Sequence, residues 1–198
     1  MILPPAPLGM LGGGQLGRYF VMSAHRLGYK VIVLDPDPIS IAGAAADEQI
    51  VAAYDDTDAL RDLASRCDAI TCEFENVPAA SLALLEQYQP VRPAASAVRV
   101  CQDRREEKAF LTRAGVPVAP NLTLLPGEPL PALPSDLFPA ILKTAREGYD
   151  GKGQWTIHQA DELPAALAAS GVPCVLEKRL PLEGEFALTL ARSPSGAI

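Results

Sequence analysis

Apolar positions recur in two alternating rhythms along the first hundred residues. Short continuous runs at 8–11, 30–34 and 69–72 predict buried strands. Leu16, Phe20, Val21, Ala24 and Leu27 repeat instead at helical spacing and stop near Gly28. A brief strand is expected at 47–51. Asp55-Asp56-Thr57-Asp58 then offers caps for a helix carrying Leu60, Leu63 and Ala64. Residues 78–88 read as a helix with proline in its first turn. Strands apolar on both sides, alternating with helices, predict an α/β unit: a parallel sheet with helices on both faces.

The rhythm changes after a charged helix expected at 103–114, which Gly115 and Pro117 stop. Residues 117–139 are proline-rich and carry at most one short strand, around 121–125. Beyond them the order is strand (138–143), glycine loop, strand (155–158), helix (160–169), strand (174–178). This is a small α+β unit of the kind that works as a hinged lid. Residues 185–191 alternate as a further strand, and Ser193-Pro194-Ser195-Gly196 is a turn signal. A turn after a strand calls for a returning strand, yet only two residues follow, so the expectation is a fragment of a longer chain.

Composition narrows the function classes. Of 198 residues, 48% are hydrophobic, enough for a sizeable core, and no apolar run approaches a membrane span. The start of the chain has no basic segment of the signal-peptide type. A net charge of −7 argues against a nucleic-acid scaffold while leaving room for local basic pockets. Cys67, Cys72, Cys101 and Cys174 are scattered and read as reduced thiols of a cytoplasmic protein. His25 and His158 are too far apart in sequence to suggest a histidine metal site.

Two glycine loops carry the candidate chemistry. The second is Gly148-Tyr149-Asp150-Gly151-Lys152-Gly153-Gln154, five residues after Lys143, which ends an apolar strand. Glycines on a strand-to-strand connection let backbone N–H groups close on an anion, and the lysines add positive charge. The pattern fits nucleotide phosphates without the strand–loop–helix P-loop, which is absent. The first loop, Gly12, Gly14 and Gly17 between a strand and a helix, matches a dinucleotide fingerprint, with Asp35 at the end of the next strand. Taken alone it supports an NAD(P)-dependent oxidoreductase, although such a turn serves any anion. That alternative leaves Lys143 and the second loop without a role.

Taken together, Gly12-Gly13-Gly14-Gln15-Leu16-Gly17-Arg18, Leu34-Asp35-Pro36-Asp37-Pro38, Glu73-Phe74-Glu75-Asn76-Val77, Gln102-Asp103-Arg104, Glu107-Lys108, Leu142-Lys143-Thr144, the second glycine loop and Gly184-Glu185 resemble the ATP-grasp superfamily. Within it they are similar to the 5-(carboxyamino)imidazole ribonucleotide synthase family. The resemblance covers almost the whole chain. It implies a Rossmann-like preATP-grasp domain at 1–115, an ATP-grasp lid at 116–180, and the incomplete start of the central ATP-grasp domain at 181–198.

It further implies ATP-dependent ligation of bicarbonate to the amine of 5-aminoimidazole ribonucleotide through carboxyphosphate, in purine biosynthesis. The alternative within the superfamily is another carboxylate–amine ligase. The family's positions put Arg104 and Lys143 on phosphate oxygens and close Gly148, Tyr149, Asp150, Gly151, Lys152, Gly153 and Gln154 over them. Glu177, Lys178, Arg179 and Leu180 would line the adenine pocket, and Glu185 would accept from the ribose hydroxyls. Lys143 and Lys152, with Tyr149 and Asp150 near bicarbonate or the amine, make up the expected catalytic set. Gln15, Leu16 and Glu73 match ribonucleotide-binding positions of the related glycinamide enzyme. Magnesium is the implied metal, with ligands beyond residue 198, and a homodimer is implied for the full-length protein. The piece alone is expected to be inactive, or a binding-only fragment.

Overall fold

Four parallel strands, β1 (Pro7–Leu11), β2 (Lys30–Asp35), β3 (Glu48–Val51) and β4 (Ala69–Cys72), form one sheet in the order β3-β2-β1-β4. The computed structural model describes residues 2–148, 151–193 and 196. The chain divides into two units, Met1–Val118 with Thr144–Gly153, and Ala119–Lys143 with Gln154–Ile198.

In the first unit, successive strand residues feed two separate cores. Val31 and Val33 of β2 join Met10, Val21, Ala24 and Ala42 on one face. Ile32 and Leu34 join Leu11, Leu60, Leu63, Ile70, Leu82 and Leu85 on the other. Side chains alternate across a strand, so burial on both faces needs a continuous apolar run, and β2 has one. Helix α1 (Gln15–Arg26) covers the first face, and α2 (Thr57–Arg66) and α3 (Ala79–Leu85) the second. Asp56 caps α2, its side chain accepting from the Asp58 and Ala59 amides. The chain runs outward from β1 to β3 and returns beyond β1 to β4. The sheet therefore has a switch point at the carboxyl ends of β1 and β4, where ligands bind in such folds.

Helix α4 (Ala95–Cys101) lies in a stretch for which the sequence predicts no element. Its buried face is only Ala95 and Val98, too short for a visible period. Glu86 secures its start by accepting from the Ala95 amide at 2.9 Å. Helix α5 (Arg104–Arg113) follows, capped by Asp103.

The second unit holds β5 (Asn121–Leu124), β6 (Ala140–Thr144), β7 (Gln154–Ile157) and β8 (Cys174–Lys178) in the order β5-β8-β6-β7, with α6 (Leu163–Ser170). The pairs β5–β8 and β6–β7 are antiparallel. Gly171, at φ 64°, ends α6 in the left-handed conformation that favours glycine. Leu124, Leu142, Ile157, Leu163, Leu167, Cys174 and Leu176 form the core, with Trp155 half-buried against it.

The strand expected over 185–191 is not formed. Its alternating apolar residues, Phe186, Leu188 and Leu190, are exposed, and the segment pairs with no strand among the described residues. An extended segment gains sheet stability only through a ladder partner, which alternation alone does not supply. All four cysteines are free thiols. No helix among the described residues is long and apolar enough to cross a membrane.

Leu142→Ala removes a fully buried side chain paired across the β6–β7 ladder with the only tryptophan and is expected to cost about 2–5 kcal/mol. A urea titration followed by Trp155 fluorescence checks it, the midpoint moving down with the slope retained.

Candidate functional site

In the second unit, Ala140 and Leu142 of β6 enter the core, so the alternate positions Ile141 and Lys143 face the other way. There, Ile141 and Lys143 line a groove of about 900 Å³ together with Ala119, Pro139, Glu177 and residues 178–182. The Lys143 Nζ lies 3.2 Å from Glu177 Oε2, and Glu177 is buried. The Lys178 amide donates to Pro120 O and the Arg179 amide to Pro139 O, both at 2.9 Å. These bonds hold the segment leaving β8 in place. The Lys178 ammonium sits 3.6 Å from Asp136. Apolar walls from Ala119, Pro139, Ile141, Leu180, Pro181 and Leu182 with the charged Lys143, Glu177, Lys178 and Arg179 make a groove that can take a ligand with both apolar and anionic parts. Lys143, Glu177, Lys178, Arg179 and Leu180 are thus gathered at one groove, whereas Glu185 is exposed and outside its lining.

In the first unit, the glycine loop has a tight stem. The Thr144 amide donates to Gly153 O at 2.8 Å. At Gly153, φ is 68°, and a Cβ would come within 2.6 Å of the Thr144 hydroxyl. A Cβ on Gly148 would meet the same hydroxyl at 2.9 Å. Arg104 reaches this loop twice: its amide donates to Ala145 O at 2.9 Å, and Nη2 donates to Gly148 O at 2.8 Å. Gly151 and Lys152 are exposed, as is Gln154 at the start of β7. Tyr149 and Asp150 lie outside the described residues.

Sequence reasoning assigned no role to Asp103, quoted only within Gln102-Asp103-Arg104, or to Arg146. The Asp103 carboxylate accepts from the Arg105 amide at 3.0 Å, from Arg105 Nε and Nη2 at 2.9 and 2.6 Å, and from Arg146 Nε at 3.1 Å. The available signal was an aspartate immediately before a charged helix, the position of an N-cap. The guanidinium of Arg105, opposing the cost of burial, pulls its pKa down to about 2.

The first glycine loop is closed by the protein's own carboxylates. The Gly13 amide donates to Asp35 Oδ2 at 2.6 Å. The Gly14 and Leu16 amides donate to Glu73 Oε2 and Oε1 at 2.6 and 3.1 Å. Asp35, itself buried, also accepts from the Asp37 amide at 2.8 Å and the Tyr54 hydroxyl at 2.6 Å. The neighbouring chain folds in as well, the Ala42 amide donating to Gly13 O at 2.8 Å. A dinucleotide needs those amides for its pyrophosphate and that aspartate for its ribose. Both are engaged, so the oxidoreductase reading loses its basis. The same bonds bring Glu73 and Leu16 together, with the Gln15 side chain exposed beside them. Among the described residues no group of three or more His, Cys, Asp or Glu side chains is placed to hold a metal ion.

Comparison with known proteins places the chain among ATP-grasp proteins. Residues 6–102 match the family model for the ribonucleotide synthetase preATP-grasp domain, and 109–198 match that for the ATP-grasp domain. The chain is 41% identical over 199 aligned residues to an N5-carboxyaminoimidazole ribonucleotide synthase of Brucella melitensis, covering 98% of this chain and 55% of the relative. A crystal structure of an ADP complex of an N5-carboxyaminoimidazole ribonucleotide synthetase superposes with a TM-score of 0.85 at 38% identity, over 92% of this chain and 49% of that one. An Aspergillus clavatus N5-carboxyaminoimidazole synthase in complex with ADP and 5-aminoimidazole ribonucleotide gives a TM-score of 0.74 at 31% identity, over 88% and 46%. The chain spans about half the length of the curated relatives it matches.

Asp35→Asn turns an all-acceptor group towards three donors and is expected to lower the unfolding free energy by about 1–3 kcal/mol in urea titrations followed by circular dichroism. Asp103 predicts an acid limb. A carboxylate whose folded pKa lies below its unfolded value stabilises fully above the latter and loses that contribution as pH falls through the former. Stability measured between about pH 4 and pH 2 should therefore fall in the wild type and fall less in Asp103→Asn.

Proposed function

We propose that this chain, which belongs to the N5-carboxyaminoimidazole ribonucleotide synthase family of the ATP-grasp superfamily, is the part of such an enzyme that binds ATP and shapes the ribonucleotide site. The reaction is ATP-dependent carboxylation of 5-aminoimidazole ribonucleotide by bicarbonate. Bicarbonate attacks the γ-phosphoryl group, releasing ADP and forming carboxyphosphate. The exocyclic amine then captures the carboxyl group, and phosphate leaves. The observation that carries this reading is the likeness to the solved ADP complex over nearly the whole chain.

In this reading the groove of the second unit takes the adenosine moiety, with Glu177, Lys178, Arg179 and Leu180 around the ring and Lys143 towards the phosphates. Arg104, Lys143 and Lys152 neutralise phosphate charge, and the loop from Gly148 to Gln154 closes to keep water from carboxyphosphate. Tyr149 and Asp150 act on bicarbonate or the amine, and Glu185 on the ribose. Gln15 and Leu16 receive the ribonucleotide, Glu73 holding their loop in shape. The domains divide as 1–115, 116–180 and 181 onward. Magnesium would offset charge on the transferring phosphoryl group. Among the described residues no group of three or more His, Cys, Asp or Glu is placed to hold it, and its ligands are proposed to lie beyond residue 198. The full-length protein is proposed to be a cytoplasmic homodimer.

The test is ATP turnover that depends on both 5-aminoimidazole ribonucleotide and bicarbonate, in the full-length protein carrying this sequence. Turnover without either co-substrate would reject the carboxylase assignment. In that protein Lys143→Met retains the stem and removes the charge. A charge-assisted phosphate contact is worth roughly 1.5–3 kcal/mol, so kcat/KM for ATP should fall about tenfold to a hundredfold. The thermal transition should also move down, because the buried Glu177 loses this cation, so kinetics are compared at a temperature where circular dichroism shows the variant folded.

A further inference from the structure

Three consecutive groups at the start of α5 grip the segment that leads into the second glycine loop. The Asp103 carboxylate holds Arg146, the Arg104 amide holds the Ala145 carbonyl, and the Arg104 guanidinium holds the Gly148 carbonyl. Between these anchors lies Glu147 at φ 60°. It is the only non-glycine residue among the described ones in the left-handed region, a conformation that an ordinary side chain rarely adopts. Such a conformation persists where the surroundings over-determine it, and such places cluster at ligand clamps.

Asp103 is suited to the grip. Its side chain is 2% exposed, and its two cations have separate jobs. Arg105 comes from its own helix and balances the carboxylate locally. Arg146, 43 positions along the chain, brings the loop segment to the helix. The Gly148 carbonyl takes a single donor of the Arg104 guanidinium, which has five N–H groups in a fixed fork. Arg104 is therefore oriented by the loop that Asp103 anchors.

We propose that Asp103 is the positioning residue for the phosphate end of the ATP site, fixing residues 145–148 through Arg146 and so setting the aim of Arg104 and the entry of the glycine loop. The proposal rests on the ATP-grasp reading above. Asp103 touches no substrate and acts through its partners. Its carboxylate turns the first turn of α5 into a mount for residues 145–148.

Two variants in the full-length protein separate this role from a structural one. Asp103→Asn keeps a competent helix cap and drops the charge. Arg146→Gln leaves the Asp103–Arg105 pair intact. Both are expected to raise KM for ATP about tenfold with a smaller change in kcat, to speed amide exchange at 145–148 in the nucleotide-free protein, and to be non-additive in the double variant. Asp103→Glu should restore part of the loss. If KM for ATP is unchanged in both variants while kcat falls with the folded fraction, Asp103 is structural only and the proposal is overturned. The same holds if exchange at 145–148 does not change. If the wild-type protein shows no saturable dependence on ATP, the ATP-grasp reading fails, and this proposal with it.

Discussion

The amides that open α1 have no partners within the helix and must be satisfied from outside. Here Glu73, arriving from the end of β4, accepts from Gly14 and Leu16, and Asp35, from the end of β2, accepts from Gly13. The two carboxylates thereby tie three strand ends together at the switch point of the sheet. The dependence runs in both directions. Gly12, at φ 112°, brings the loop within 2.7 Å of the Glu73 side chain for any added Cβ, so the turn exists only because the position is glycine. The parallel sheet buried on both faces puts these ends side by side, within reach of the two carboxylates that take up the loop amides.

Much of this was legible beforehand. The apolar runs of β1, β2 and β4 and the period of α1 predict the first unit, because burial on both faces leaves an unmistakable pattern. The strand–loop–strand around Lys143 was equally plain, since an apolar strand ending in lysine before three glycines has few other uses. The failures have physical causes. Helix α4 has one buried pair of residues and no period to detect. Residues 185–191 alternate correctly, but alternation describes a strand's faces and says nothing about its partner. Gly12, Gly14, Gly17 and Asp35 matched a dinucleotide fingerprint because glycines and a strand-end acid are needed whether the anion is a ligand or the chain's own Asp35 and Glu73. Only the three-dimensional placement of Glu73 separates the two.

The second glycine loop shows the same economy with different parts. Its stem is shut by Thr144, which would collide with a side chain at either Gly148 or Gly153. Its base is held by α5 through Asp103 and Arg104. Both arrangements belong to the first unit, although the strands that flank the loop, β6 and β7, belong for most of their length to the second. The groove residues Lys143 and Glu177 stand on the second unit's own sheet. Lys143 is followed directly by Thr144, so the change of unit falls within β6.

The closure around Asp35 also bears on how this chain could change over evolutionary time. Asp35 serves Gly13, Asp37 and Tyr54 at once, Ala42 is tied to Gly13, and a Cβ at Gly13 would come within 2.8 Å of the Asp35 carboxyl carbon. Replacing Asp35 strands three donors at once and replacing Tyr54 removes one of them, whereas the Gly13, Asp37 and Ala42 bonds run through backbone amides. Freeing the Gly13 amide for a pyrophosphate would mean moving or replacing Asp35, the residue that a dinucleotide site needs for the ribose. The glycine pattern matches that of the oxidoreductases, but the aspartate that such a site would turn to the ribose is here the group that closes the loop.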